Sequence, residues 1–296
     1  MTKTINTQPK GFPPVPENWQ TEYSAYDLDG FKLFYSLHTA QNSEIKNIFV
    51  ICHGFGEHGG RYEHFPYYLK SHVDAVFVHD HRGHGRSQGQ RGHADHFDQL
   101  VSDQLFVLKQ IQNRFQNAKI HFFAHSMGGH VGLRLALLNP DFKFSSFQVS
   151  SPFLGLKYPI SIIKRGAARL LSRVWGSLSL SESFDAAVLS RDPYVVEHYN
   201  KDKLNHNCMT PRFYTTMTEC WKDTLSRKKG IEPPFQMLLP QADVLVDGEV
   251  SRRFFENLEH YQKNLVLFDE MRHEGFNDYG KEKFFQSVTE WIQKYS

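Results

Sequence analysis

A mostly parallel α/β sheet, covered on both faces by helices and interrupted by a helical insertion, is the architecture this sequence predicts. Three observations carry it. Short β-branched and aromatic runs alternate with helix-like stretches, the same rhythm returns near the C-terminus, and between the two it breaks into proline-punctuated pieces. Alternation of this kind joins parallel strands through crossover helices, so the strands read as nearly continuous apolar runs. With 296 residues, 40% hydrophobic and 22% charged, including 25 Phe and 13 Tyr, the chain has ample material for a core and does not have the composition of a disordered one.

The polar stretch Met1 to Gln20, with Pro9, Pro13, Pro14 and Pro16, lacks the apolar run of a signal peptide, so export by that route is not expected. Leu28-Asp29-Gly30-Phe31 sets a turn dipeptide between segments rich in Tyr, Phe and Leu and predicts a hairpin. Strands are expected at about 47–52, 73–79, 119–124 and 144–150, with helices at about 61–70, 98–115 and 126–138. The second block adds strands at about 235–239 and 264–268 and helices at about 249–260 and 281–294. Residues 157–230, bearing Pro159, Pro193 and Pro211, leave the sheet after its sixth strand. An insertion there is expected to cap the crevice at the strand ends, with 1–156 and 231–296 forming the core domain.

Charge and cysteine usage narrow the function classes. Lys plus Arg number 34 and Asp plus Glu 32, a net charge of +2, and the longest basic block is Arg227-Lys228-Lys229. That is no footprint for nucleic acid. The three cysteines, Cys52, Cys208 and Cys220, form no CxxC pair and too small a set for a disulfide framework. The longest apolar runs fall far short of the roughly 18 residues that span a bilayer. A cytoplasmic location is therefore expected.

The strongest chemical signal is the apolar run Lys119–Ala124 leading through His125 into Ser126-Met127-Gly128-Gly129 and a helix. This has the form of the G-x-S-x-G nucleophile elbow, with Ala124 in place of the first glycine. Small residues are needed there because strand and helix approach closely while the turn exposes the serine oxygen. A serine needs a base to take its proton and a third group to orient that base. Such groups follow later strands in the order acid, then histidine. Asp243 follows the strand at 235–239, and His273 follows the strand at 264–268. Asp247, four residues further on, is the rival acid but lies further from the strand end, so Asp243 is preferred. His125 and His130 flank the serine inside the elbow, point away from its oxygen and are read as structural. The backbone N–H groups of Met127 and of Phe55, in the glycine-rich loop His53-Gly54-Phe55-Gly56, are the expected oxyanion donors.

These motifs, together with His53–Tyr62, Asp80-His81-Arg82-Gly83-His84-Gly85-Arg86-Ser87, Ala242-Asp243 and His273-Glu274, span about residues 46–280. The chain resembles the monoacylglycerol lipase and lysophospholipase branch of the α/β-hydrolase fold, which includes proteins labelled serine aminopeptidases. The resemblance implies that fold and a carboxylesterase acting on esters of one long acyl chain, with Ser126, Asp243 and His273 as catalytic residues and no cofactor. It implies that Glu57 and Arg61 lie near the polar head of the substrate; an ion pair fixing the loop is their alternative use. Monoacylglycerol lipases resembling this chain carry a second histidine three residues after the catalytic one, helping to bind glycerol. Here that substrate-binding position is Phe276, which leaves the head group open.

Seventeen histidines are present, and His79, His81, His84, His93 and His96 crowd one region. A metal there would need ligands at set distances with an oriented surround, whereas the resemblance accounts for His81 and His84 as parts of a loop motif, with Asp80 capping it. In the insertion, Ile160, Ile163, Ala167, Leu170, Leu171 and Val174 recur at helical spacing, with Lys164, Arg165, Arg169 and Arg173 on the opposite side. Packing of the apolar side over the site is the preferred reading; contact with a membrane surface is the other. The competing functions are a peptidase or short-chain ester hydrolase of the same fold, a binding protein that has kept the fold without catalysis, and a metal-dependent hydrolase. Oligomeric state is not legible.

Overall fold

A computed structural model describes residues 12–41, 44–181 and 184–296. The leader before Phe12 lies outside the described residues. The chain opens with β1 (Trp19–Leu28) and β2 (Phe31–Ala40), an antiparallel hairpin with Leu28 opposite Phe31. Asp29 (φ 52°) and Gly30 (φ 83°) both take left-handed backbone, as a tight turn matching the strand twist requires.

Strand β3 (Asn47–Cys52) follows, then a 3₁₀ turn at Gly59–Tyr62, helix α1 (Phe65–Leu69) and β4 (Ala75–His79). The single helix expected over 61–70 is thus two pieces, because Pro66 has no N–H to carry the first turn onward and sits instead in the first turn of α1. Val73 and Asp74 belong to a turn rather than to β4: Asp74 Oδ2 accepts the backbone N–H groups of Lys46 and Asn47 and ties that turn to the start of β3. Next come α2 (Asp98–Arg114), β5 (Lys119–His125), α3 (Ser126–Leu138) and β6 (Ser146–Ser150).

The insertion holds α4 (Ile162–Val174), a two-residue strand β7 (Leu180–Ser181), α5 (Pro193–Lys201), β8 (Cys208–Met209) and α6 (Pro211–Ser226). The core resumes with β9 (Phe235–Pro240), α7 (Gly248–Asn257), β10 (Lys263–Phe268) and α8 (Lys281–Tyr295).

The eight long strands form one sheet in the order β1-β2-β4-β3-β5-β6-β9-β10. All pairs from β4 to β10 are parallel; β2 joins β4 antiparallel. From β3 the chain first goes to β4 on one side and then to β5 on the other. The carboxyl ends of β3 and β5 therefore flank the switch point at which such sheets bind ligands.

Period-two alternation splits the core into two layers. Ile48, Val50, Cys52, Ile120, Phe122 and Ala124 face one side, where α2 and α3 cover them. Phe49, Ile51 and Phe123 face the other, against Phe65 of α1 and Phe284, Phe285 and Val288 of α8. Because both faces are covered, β4, β6 and β9 are buried throughout. Among the described residues no helix is long and apolar enough to cross a membrane.

Candidate active site

The site begins where β5 turns directly into α3. Ser126, the first helical residue, has φ 53°, a left-handed conformation costing a non-glycine residue about 1–2 kcal/mol. Its neighbours hold it there by close contact. A Cβ on Gly128 would lie 2.2 Å from the Cys52 carbonyl oxygen, so the first turn of α3 rests on the end of β3 with no room for a methyl group. The Ala124 departure is also accommodated: a Cβ on Gly132 would lie 2.8 Å from the Ala124 Cβ. The methyl that replaces the usual first glycine fills the space left by this glycine one helical layer on.

His273, in the loop after β10, meets Ser126 across 147 residues of sequence, with Nε2 2.9 Å from Oγ. Its Nδ1 lies 2.6 Å from Asp243 Oδ2. A carboxylate only accepts, so Nδ1 carries the proton and Nε2 is left to accept the serine O–H. Asp243 is fixed in turn, its Oδ1 accepting the N–H groups of Leu245 and Val246. The rival Asp247 is engaged elsewhere: its side chain caps α7 through the N–H groups of Glu249 and Val250. Ser151 steadies the histidine loop by donating its hydroxyl to the His273 carbonyl at 2.9 Å.

Burial by itself would lower the His273 pKa. The Asp243 carboxylate, its hydrogen bond, and the nearby Glu274 and Glu57 outweigh that and hold it above the ordinary value of 6.5. His125 and His130 lie deep in the core. His125 packs 4.8 Å from the His273 ring, with Nδ1 3.4 Å from Ser150 Oγ, and His130 pairs with Thr224 of α6. Burial pushes both far below 6.5, so each is neutral.

Above the serine opens a cavity of about 490 Å³. Gly54, Phe55, Ser126 and His273 line its reactive floor, and Phe153, Leu156, Ile160, Leu171 and Met217 give it apolar walls. Its polar part is made by Glu57, Arg61 and Glu274, all buried. Arg61 donates to Glu57 Oε2 at 2.6 Å and to both oxygens of Glu274 at 2.5 and 2.7 Å. The Gly54 N–H and the Tyr62 hydroxyl both donate to Glu57 Oε1. Glu57 and Arg61 thus form an ion pair and line the cavity as well. Glu274, which carried no role in the sequence reading, completes the cluster. Its adjacency to His273 is visible in the sequence, but its partner stands 213 residues away.

Phe276 does not lie where the sequence reading put it. It is not among the residues lining the cavity; its ring is fully buried against Tyr62, Phe65, Phe123 and His125. The 3₁₀ turn at Gly275–Asn277 directs it inward, into the layer under α8. The loop histidines are likewise structural: His53, His81 and His84 pack ring against ring, and burial depresses all three well below 6.5. Asp80 caps their loop, accepting the N–H groups of Gly59 and Arg86.

A hydroxyl, an imidazole and a carboxylate in hydrogen-bonded line at the switch point of an α/β-hydrolase sheet have the geometry of a serine hydrolase. The chain belongs to the serine aminopeptidase, S33 family, whose model matches residues 43–280. It is 31% identical to the monoglyceride lipase of Mus musculus over 77% of this chain and 75% of that one. An abhydrolase domain-containing protein of Dictyostelium discoideum is 30% identical over 83% of this chain, which spans about a quarter (26%) of that protein's length. The crystal structure of the monoacylglycerol lipase of Paleococcus ferrophilus superposes with a TM-score of 0.77 at 29% identity, covering 89% of this chain and 99% of that one.

Because Phe276 serves packing, Phe276→Ala is expected to lower the unfolding free energy by about 3–5 kcal/mol. The folded variant should retain the wild-type KM, read from urea denaturation and steady-state kinetics together.

Proposed function

We propose that the protein hydrolyses esters of a single long acyl chain, of the monoacylglycerol or lysophospholipid kind, through an acyl-enzyme on Ser126. One observation carries this reading: the Ser126–His273–Asp243 line opens into a cavity that is apolar along most of its wall and polar beside the imidazole. Such a shape suits one alkyl chain and one hydrophilic alcohol. The similarity to the mouse and Paleococcus ferrophilus lipases supports it.

In the proposed reaction His273 Nε2 takes the Ser126 proton as Oγ attacks the ester carbonyl. The resulting imidazolium, stabilised by Asp243, protonates the departing alcohol oxygen, and the acyl group stays on Ser126. Water then enters, gives its proton to the same nitrogen, and releases the fatty acid as the proton returns to Ser126. The oxyanion is assigned to the N–H groups of Phe55 and Met127. Met127 lies in the first turn of α3, where N–H groups have no acceptor within the helix and the helix dipole favours negative charge. The neighbouring Gly54 N–H is already given to Glu57, so Phe55 supplies the loop donor. Glu57 and Arg61 are assigned to the alcohol side of the substrate, and residues 157–230 to the cap that excludes water.

The cap helix α4 supports a further part of the proposal, contact with a lipid surface from which a single-chain ester is drawn. Its apolar residues fall on two sides. Ile160, just ahead of the helix, joins Ala167 and Leu171 in facing the cavity, together with Lys164, which the sequence reading had placed opposite them. Ile163, Leu170 and Val174 instead face outward, 81%, 64% and 72% exposed, beside Arg165, Arg169 and Arg173. An exposed apolar stripe flanked by cations is the pattern of a helix lying in a bilayer interface.

Ser126→Ala should abolish labelling by a fluorophosphonate. Asp243→Asn should cut kcat by roughly 10⁴-fold, whereas Asp247→Ala should cost only the cap of α7, about 0.5–2 kcal/mol of stability. Survival of labelling in Ser126→Ala would remove the nucleophile assignment.

Only the neutral imidazole can act as base, so kcat/KM should rise with pH through an apparent pKa above 6.5, displaced toward that of free imidazole in Asp243→Asn. A profile flat from pH 5 to 8 would contradict this role of His273.

For the cap, Leu170→Glu with Val174→Glu should lower partitioning onto anionic vesicles at least about tenfold. Turnover of a soluble short-chain ester should be unchanged. Equal vesicle binding by both proteins would exclude α4 as the contact.

A further inference from the structure

The cluster beside the catalytic histidine holds one more acidic group than basic. Glu57 and Glu274 are two carboxylates, Arg61 is one guanidinium, and all three are buried, at 2%, 2% and 6% exposure. Guanidinium is the side chain best suited to grip a phosphate, through paired N–H donors. Here three of its five donors are taken: Glu274 receives two of them side by side and Glu57 a third. Glu274 is itself held by Asn277, whose amide donates to Oε2 at 2.8 Å, and the face of Arg61 is covered by the Tyr199 ring, 4.8 Å from its centroid. Lys164, the other Lys or Arg in the cavity wall, is on the exposed cap helix.

We propose that Glu274 is a specificity-determining residue, an electrostatic filter that occupies Arg61 and excludes esters whose leaving alcohol carries a phosphate. This rests on the single-chain ester reading above and narrows it to esters of uncharged alcohols. A phosphate entering the polar part of the cavity must either displace Glu274 from a bidentate pair or lie beside two carboxylates out of water. Like charges juxtaposed at a desolvated site cost several kcal/mol. A neutral polyol meets no such repulsion, and its hydroxyls can donate to the carboxylate oxygens. Glu274 also follows His273 directly in the chain, so the filter lies next to the group that protonates the leaving oxygen.

The test compares kcat/KM on an oleoyl ester of glycerol and of glycerol phosphate, and on the two matching butyryl esters, for wild type, Glu274→Gln and Glu274→Asp. Wild type should favour the uncharged alcohol by at least about 100-fold at both chain lengths, the effect of a like-charge clash. Glu274→Gln, which removes the charge, should narrow that ratio at least about tenfold by raising phosphate-ester turnover, and Glu274→Asp should keep it. A wild-type ratio near one, or an equal loss on both alcohols in Glu274→Gln, would overturn the filter. Should Glu274→Gln fail to fold, wild-type inhibition by 1-O-dodecylglycerol and by its phosphate decides instead. Weaker inhibition by the phosphate supports the filter, and equal inhibition refutes it. Loss of the long-chain preference with the charge ratio intact would remove the acyl-chain reading and leave the filter standing; no turnover of any ester would remove both.

Discussion

The whole site depends on how closely the start of α3 is pressed against the end of β3. With a gap of one methyl group refused at Gly128, the helix seats itself so that Ser126 must adopt left-handed backbone and its oxygen must face the crevice. The strain of that turn is small beside the packing that enforces it. Val131, Leu135 and the strand residues beneath them bury one face of α3 completely, so relaxing Ser126 would mean lifting the helix from the core. The same contact places Ser126 beside Gly54 and Phe55 of the loop after β3, in the floor of one cavity.

Around this fixed point the protein arranges charges that burial alone would not tolerate. Asp243 and His273 are buried together, and so are Glu57, Arg61 and Glu274. Desolvating an ion costs several kcal/mol even after relaxation, and paired buried ions are a weak source of stability. Such groups belong where their field is used. Glu274 and Glu57 raise the basicity of His273, against its desolvation, while Arg61 keeps the two carboxylates from repelling each other. Burial pushes the Glu57 carboxyl up, with Glu274 adding to it against the pull of Arg61. Glu274 is held below the ordinary carboxylate value because Arg61 outweighs its burial.

The insertion supplies part of the cavity wall. α4 packs on α6, where Arg212 donates twice to the Ser172 carbonyl, and leaves most of its length exposed. The lower part of the insertion is tied more firmly to the core. His206 donates its N–H to the Gly56 carbonyl, and His58 meets Asp202 at 2.7 Å.

The sequence by itself determined most of the strands, their mostly parallel pairing and the three side chains that meet in hydrogen-bonded line. Those signals are local: apolar runs, glycines where backbones must touch, and a polar residue just past each strand end, where the sheet fixes its direction. Even the departure at Ala124 was legible as small-for-small, although only the structure shows Gly132 opposite it. What the tertiary structure alone decided is what depends on partners distant in the chain. Phe276 turned inward because a 3₁₀ turn aims it at the layer beneath α8. Lys164 joined the cavity wall because packing against α6 set the rotation of α4. Glu274 became part of the polar end because Arg61 comes within hydrogen-bond reach from 213 residues away, and no spacing in a linear sequence encodes that distance.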